Sequence, residues 1–189
     1  MGKKVMFWLS TVFILSWSSP AHSTVAQPLS FDELIKSSDV VCHGWVVEQW
    51  SDAPEGLPGV IYTHTVVEVA NALKGEPRKR IELRQIGGEI ESYSVHLSGV
   101  PHFELGHEVV VFAGRDDAES AFVTTGLSQG VFFVTREDNE LDIHRDLSGI
   151  TFHDTRPRPF SLKSMPDRLP DLLEAVQLRW ADLLEKEGE

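Results

Sequence analysis

The chain has 189 residues, with 29 acidic and 17 basic side chains, and its formal net charge at pH 7 is −12. A protein this acidic is repelled by phosphate backbones and by anionic membrane surfaces, which argues against nucleic acid as a partner. Its single cysteine, Cys42, excludes an intrachain disulfide. Because Cys42 follows two valines in an apolar run, we expect a buried and unreactive thiol.

The first 23 residues predict a secretory signal peptide. Lys3 and Lys4 supply a positive start, Val5–Trp17 is mostly apolar, and Ala21-His22-Ser23 is a small-x-small cleavage signal. The apolar run is shorter than the roughly 20 residues of a membrane-spanning helix, so we expect cleavage near Ser23 and no stable membrane anchor. Cleavage removes two lysines and no acidic residue, which lowers the net charge from −12 to −14. We therefore expect a secreted or periplasmic protein, and the lack of disulfides favours a bacterial envelope.

Residues 24–150 predict a β-barrel domain. After a loose leader over 24–29, Ser30 and Glu33 match a capping box, which predicts a short helix. Gly44 lies in the middle of the first β-prone run and predicts a bulge, a bend or a close backbone approach. Alternating or β-branched segments, separated by short turns, predict strands near 40–50, 60–73, 80–86, 93–97, 108–113, 121–125, 130–135 and 141–144.

The C-terminal part predicts a loop followed by a helix. Residues 151–168 are rich in proline and have little periodicity, so we expect a loop laid over the barrel. Residues 169–189 predict an amphipathic helix, and we expect its apolar stripe to pack on the chain's own barrel, with a partner-binding helix as the alternative. The stripe consists of Leu169, Leu172, Leu173, Val176, Trp180, Leu183 and Leu184.

Together these elements predict a mainly β fold. The expected architecture is a small barrel or meander similar to the oligosaccharide/oligonucleotide-binding fold, with a short N-terminal helix and a C-terminal amphipathic helix.

Several segments between residues 38 and 135 resemble a family of exported bacterial proteins of uncharacterised function. The matching stretches include Ser38-Asp39-Val40-Val41, Leu73-Lys74-Gly75, Gly87-Gly88-Glu89, Ser98-Gly99-Val100-Pro101 and Gly126 through Gly130. The strand–loop–strand portion that ends in Leu73-Lys74-Gly75 also resembles the barrel of tissue inhibitors of metalloproteinases. That resemblance implies the fold alone, because those inhibitors bind the protease zinc through an N-terminal cysteine, and this chain has none near Thr24.

Candidate chemistry is sparse in this sequence. His96, His102 and His107 are close in the chain, but spacings of six and five across a prolyl loop do not impose the convergence that a zinc site needs. Gly126–Gly130 has the letters of a nucleophile elbow around Ser128. The segment after it is β-prone, whereas an elbow feeds a helix, so we expect a tight turn. We therefore expect no catalytic residue, metal or cofactor.

The segment Glu89–Phe103 is the predicted interaction surface, because it is long, aperiodic and carries Tyr93, His96 and His102. The leading hypothesis is an exported, non-enzymatic binding module of the cell envelope, with an unknown protein or a small ligand as its partner. The alternatives are a metal-dependent or serine hydrolase, in which the histidines or Ser128 would converge in one pocket, and a protein similar to metalloproteinase inhibitors.

Overall fold

The computed structural model describes residues 24–116, 121–138, 140–156 and 165–187, so the predicted signal peptide lies outside the described residues. The described chain is mainly β. Its strands are β1 (Thr24–Ala26), β2 (Val40–Asp52), β3 (Tyr62–Lys74), β4 (Arg80–Ile86), β5 (Gly88–Ile90), β6 (Tyr93–Val95), β7 (Glu108–Arg115), β8 (Phe122–Thr124), β9 (Val131–Glu137), β10 (Glu140–His144) and β11 (Ile150–Phe152). The helices are α1 (Phe31–Ser37) and α2 (Leu169–Glu187), and a 3-10 turn spans Leu127–Gly130.

Five strands close a barrel in the order β2-β3-β4-β8-β7 and back to β2. The β4–β8 pairing is parallel and joins Leu83 to Phe122, whereas the other four pairings are antiparallel. Strands β9 and β10 continue the sheet beyond β7 as a meander. The predicted small barrel with a meander and two helices is confirmed. Its interior is filled by apolar side chains, among them Cys42, Val46, Val67, Ile81, Leu83, Phe103, Val109, Val111 and Phe122.

Gly44 marks a sharp irregularity in the long strand β2. The β2–β3 register shifts between His43 and Gly44, which is one of three such shifts along this pair. A Cβ added at Gly44 would stand 2.1 Å from the carbonyl oxygen of Glu68, so only glycine lets the two backbones come this close. The expected bulge with a close backbone approach is confirmed, and it helps a short sheet to curl into a closed barrel.

The two helices cover the outer face of the barrel sheet. Ser30 accepts a hydrogen bond from the Glu33 amide, while the Glu33 carboxylate accepts one from the Ser30 amide, which confirms the capping box. The Arg179 guanidinium of α2 forms a bidentate pair with the Asp32 carboxylate of α1. The shared apolar cluster contains Leu34 and Ile35 from α1, Val41, Val110 and Phe112 from the sheet, and Leu169, Leu172, Val176 and Leu183 from α2.

The apolar stripe of α2 therefore packs on the chain's own sheet and on α1, except for Leu184, which is 50% exposed. None of the described helices is long and apolar enough to span a membrane.

Two expectations are wrong in detail. Residues 24–29 are not a loose leader throughout, because Thr24–Ala26 forms a parallel strand whose register pairs Thr24 with Ile150. The predicted loop 151–168 begins inside strand β11, and residues 157–164 lie outside the described residues. Three-residue strands carry too little alternation to be read from sequence.

Candidate functional site

A cavity of about 390 Å³ lies where the end of the barrel meets the segment from Gly87 to Phe103. We call it the barrel-end groove. The ends of β2 and β4 and the start of β3 form its floor, and the β5–β6 hairpin with the chain that follows forms its opposite wall. The groove is lined by Gln49, Trp50, Ser51, Thr63, Gln85, Ile86, Gly87, Gly88, Glu89, Val95, His96, Leu97, Val100, Pro101, His102 and Phe103.

The floor of the groove carries uncharged polar side chains joined by hydrogen bonds. The Gln49 amide nitrogen donates to Thr65 Oγ1 at 3.1 Å and to the Phe103 carbonyl at 3.2 Å. The Ser51 and Thr63 hydroxyls lie 3.2 Å apart, and Thr63 Oγ1 donates to the Gly87 carbonyl at 2.8 Å. These bonds fix the floor side chains in place before any ligand arrives.

Gln85 differs from these neighbours. Its side chain lines the groove and is only 6% exposed, yet its Nε2 atom is buried without a hydrogen-bond partner among the described residues. A buried polar group without a partner is costly, and such groups are rare in folded proteins.

The rim of the groove carries the histidines that the sequence singled out. His96 and His102 border the groove, and their side chains are 78% and 83% exposed. His96 Nε2 lies 3.6 Å from Glu89 Oε1, which is a solvent-exposed pairing of small energetic value. Tyr93, on β6, is 74% exposed and is not part of the lining. The predicted loop thus contributes two of its three named residues to one concave surface.

Sequence reasoning missed the floor residues, although their signal is present. In β4, Gln85 shares a face with Ile81 and Leu83, which are both buried in the barrel interior. A polar residue that continues an apolar face is the pattern to look for, because it places a hydrogen-bonding group at the end of the core. In β3, Thr63 and Thr65 continue the face of Val67 in the same way.

The histidines do not form a metal centre in the described part of the chain, where no group of three or more histidine, cysteine, aspartate or glutamate side chains is placed to hold an ion. His107 lies 3.6 Å from Glu104 and borders a second cavity of about 380 Å³. His102 and His144 also line that second cavity, next to Phe133.

Neither candidate nucleophile is positioned to react. Ser128 is 3% exposed, and its hydroxyl donates to the Gly99 carbonyl at 2.9 Å. The Gly126–Gly130 segment is a 3-10 turn that runs into strand β9, so it lacks the strand-to-helix context of a nucleophile elbow. Burial raises the pKa of the Cys42 thiol to about 12, which keeps it protonated and inert.

Comparison with known proteins gives no relative: no family model, no curated protein and no solved structure matches this chain.

Proposed function

We propose that this protein is an exported, non-enzymatic binding module that holds a small ligand, or a short segment of a larger one, in the barrel-end groove. The observation that carries the proposal is Gln85, an almost fully buried side chain on the groove wall whose amide nitrogen has no partner among the described residues. A concave site with a few fixed polar groups among apolar walls is the usual form of a ligand pocket, and its volume of about 390 Å³ is within the usual range.

The chemistry around the groove favours binding over catalysis. Its floor side chains are amides and hydroxyls, which recognise ligands but are poor general acids or bases near neutral pH. The alternative of a serine hydrolase loses support because the Ser128 hydroxyl is buried and bonded to a backbone carbonyl.

The inhibitor alternative also loses support, because the Thr24 amide donates to the Gly149 carbonyl within the β1–β11 pairing. A metalloproteinase inhibitor of the resembling type presents a free N-terminal amine and carbonyl to the protease zinc.

The proposal that the protein is exported rests on the sequence of residues 1–23. The test is to express the whole gene product in a bacterium with a Sec pathway and to determine the N-terminal residue of the purified protein. We expect Thr24 as the first residue and recovery from the periplasm or the medium. A protein that stays in the cytoplasm and keeps its leader would contradict export.

Binding is tested by screening a library of neutral, cationic and anionic fragments against the purified protein, with two-dimensional NMR spectra as the readout. Leu97 lines the groove, so Leu97→Trp should fill it and abolish the spectral changes. Leu105→Trp is the matched control, because Leu105 is exposed and is not part of the groove lining. If no fragment shifts groove resonances, or if both variants behave alike, the groove is not a binding site.

A further inference from the structure

We propose that the ligand of the barrel-end groove is a neutral saccharide. This inference rests on the proposed function and adds the chemical class of the ligand. Two properties of the groove support it: the charge of its lining, and the combination of hydrogen-bonding groups and apolar walls.

The first property is charge. The described residues that line the groove include no lysine and no arginine, and the ionisable side chains among them are Glu89, His96 and His102 at the rim. The chain as a whole carries −12. An anionic ligand such as a phosphate ester or a uronic acid would meet no fixed counter-charge and would be repelled by the protein's own field. The groove therefore disfavours anionic ligands.

The second property is the mixture of donors, acceptors and apolar walls. Gln85 lines the groove with an amide side chain. The Ser51 and Thr63 hydroxyls use their protons on Thr63 Oγ1 and on the Gly87 carbonyl, and both keep lone pairs that can accept a hydrogen bond from a ligand. A sugar ring carries hydroxyls that both donate and accept, and it carries C–H faces that need apolar contact. The walls supply that contact through Ile86 and Leu97, which are both partly exposed.

Trp50 adds a rigid aromatic edge beside the floor. Its ring stacks on His64 with 5.0 Å between centroids and 5° between planes, and the side chain remains 42% exposed. Trp50 also borders the groove. A tryptophan held in one orientation beside hydroxyl and amide groups loses little conformational freedom when a ring packs against it.

A peptide is the competing ligand class. An extended peptide is recognised chiefly through main-chain hydrogen bonds to a free strand edge. The backbone of Gly87 is already used, because its N–H donates to the Ile61 carbonyl at 2.7 Å and its carbonyl accepts from Thr63 Oγ1 at 2.8 Å. Strands β5 and β6 form a two-stranded sheet, so each keeps one unpaired edge among the described residues, and the titration therefore includes a peptide.

The experiment titrates the purified protein with cellotriose and chitotriose as neutral saccharides, with trigalacturonate as an acidic one, and with a neutral tetrapeptide. Two-dimensional NMR follows the side-chain amide resonances of Gln49 and Gln85 and the indole resonance of Trp50. We expect one or both neutral saccharides to shift these resonances, and we expect no response to trigalacturonate or to the peptide.

The variants Gln85→Leu and Gln177→Leu make the same chemical change at two places. Gln85 lines the groove, whereas Gln177 is exposed on α2. We expect Gln85→Leu to weaken saccharide binding at least tenfold and Gln177→Leu to leave it unchanged. Equal affinity of both variants, or binding of only the peptide or the acidic sugar, would overturn the saccharide assignment.

These results separate the two proposals. If fragments bind in the groove and neither neutral saccharide does, the saccharide assignment fails while the binding module stands. If no compound of any class binds there, both fail.

Discussion

Replacing Gln85 by leucine should make the protein more stable, not less. The Gln85 amide nitrogen is buried without a hydrogen-bond partner among the described residues, and its side chain continues the buried face of Ile81 and Leu83. An unpaired buried polar group costs about 1–3 kcal/mol. Leucine removes that cost and adds apolar contact with the end of the core. At the lower end, a gain of about 1 kcal/mol raises the Tm of a chain of this size by about 2–4 °C.

Gln49 provides a comparison in which the glutamine amide is paired and the residue is exposed. It is also a glutamine on the groove floor, but its amide nitrogen donates to Thr65 Oγ1 and to the Phe103 carbonyl. Gln49→Leu therefore breaks two hydrogen bonds and should destabilise the protein by about 1 kcal/mol, so that its Tm falls by about 2–4 °C.

Thermal unfolding followed by circular dichroism, with urea unfolding as a check, measures both changes. The reasoning fails if Gln85→Leu lowers the Tm as much as Gln49→Leu does, because Gln85 would then be a satisfied structural residue. If Gln85→Leu raises the Tm and also abolishes ligand binding, Gln85 serves binding at a cost in stability.

Three further predictions concern the scaffold. Ser30→Ala removes the side-chain acceptor of the α1 capping box and should cost about 1 kcal/mol in urea unfolding; no change would mean that α2 alone holds α1 in place. Gly44→Ala drives a methyl group into a β3 carbonyl and should cost about 3 kcal/mol, whereas Gly114→Ala, whose nearest contact is 3.6 Å, should cost less than about 1 kcal/mol in the same assay. The hydrogen bonds from Arg179 lower the pKa of Asp32 below its ordinary value of 3.8, so this pair stabilises the fold above that pH and the contribution is lost as pH falls through the lowered pKa. Urea unfolding of wild type and Asp32→Asn should therefore differ at pH 7, and the difference should shrink as the pH falls below 3.8; a difference that stays constant with pH would contradict the assignment.

Much of the fold was predictable because it depends on local and periodic signals. The capping box at Ser30 and the alternation in β4 each specify one element, and the apolar stripe of α2 has the period of a helix packed on one side. The bulge and close backbone approach at Gly44 could be predicted because a glycine in the middle of a long strand usually marks one of these features. The short strands β1 and β11 were missed because they exist only through their mutual pairing, between segments more than 100 residues apart.

The site was harder to predict than the fold. The sequence drew attention to histidines, which are chemically versatile, but His96 and His102 are exposed rim residues. The polar residues at the end of the barrel are Gln49 and Gln85, whose amides have no distinctive sequence spacing. Gln85 could have been suspected from its place on an apolar face. That its amide nitrogen is unpaired is a three-dimensional fact, because it depends on which chains meet at the end of the barrel.

The packing of α2 has a consequence for how the protein is made. Val110 and Phe112 on the outer sheet face, together with Leu34 from α1, are hidden partly by side chains of α2, which is the last element of the chain. A ribosome releases the barrel strands before it releases that cover. The nascent chain therefore exposes an apolar surface from the time that β7 is made until α2 docks, and a chaperone that recognises apolar surfaces can bind it during that interval.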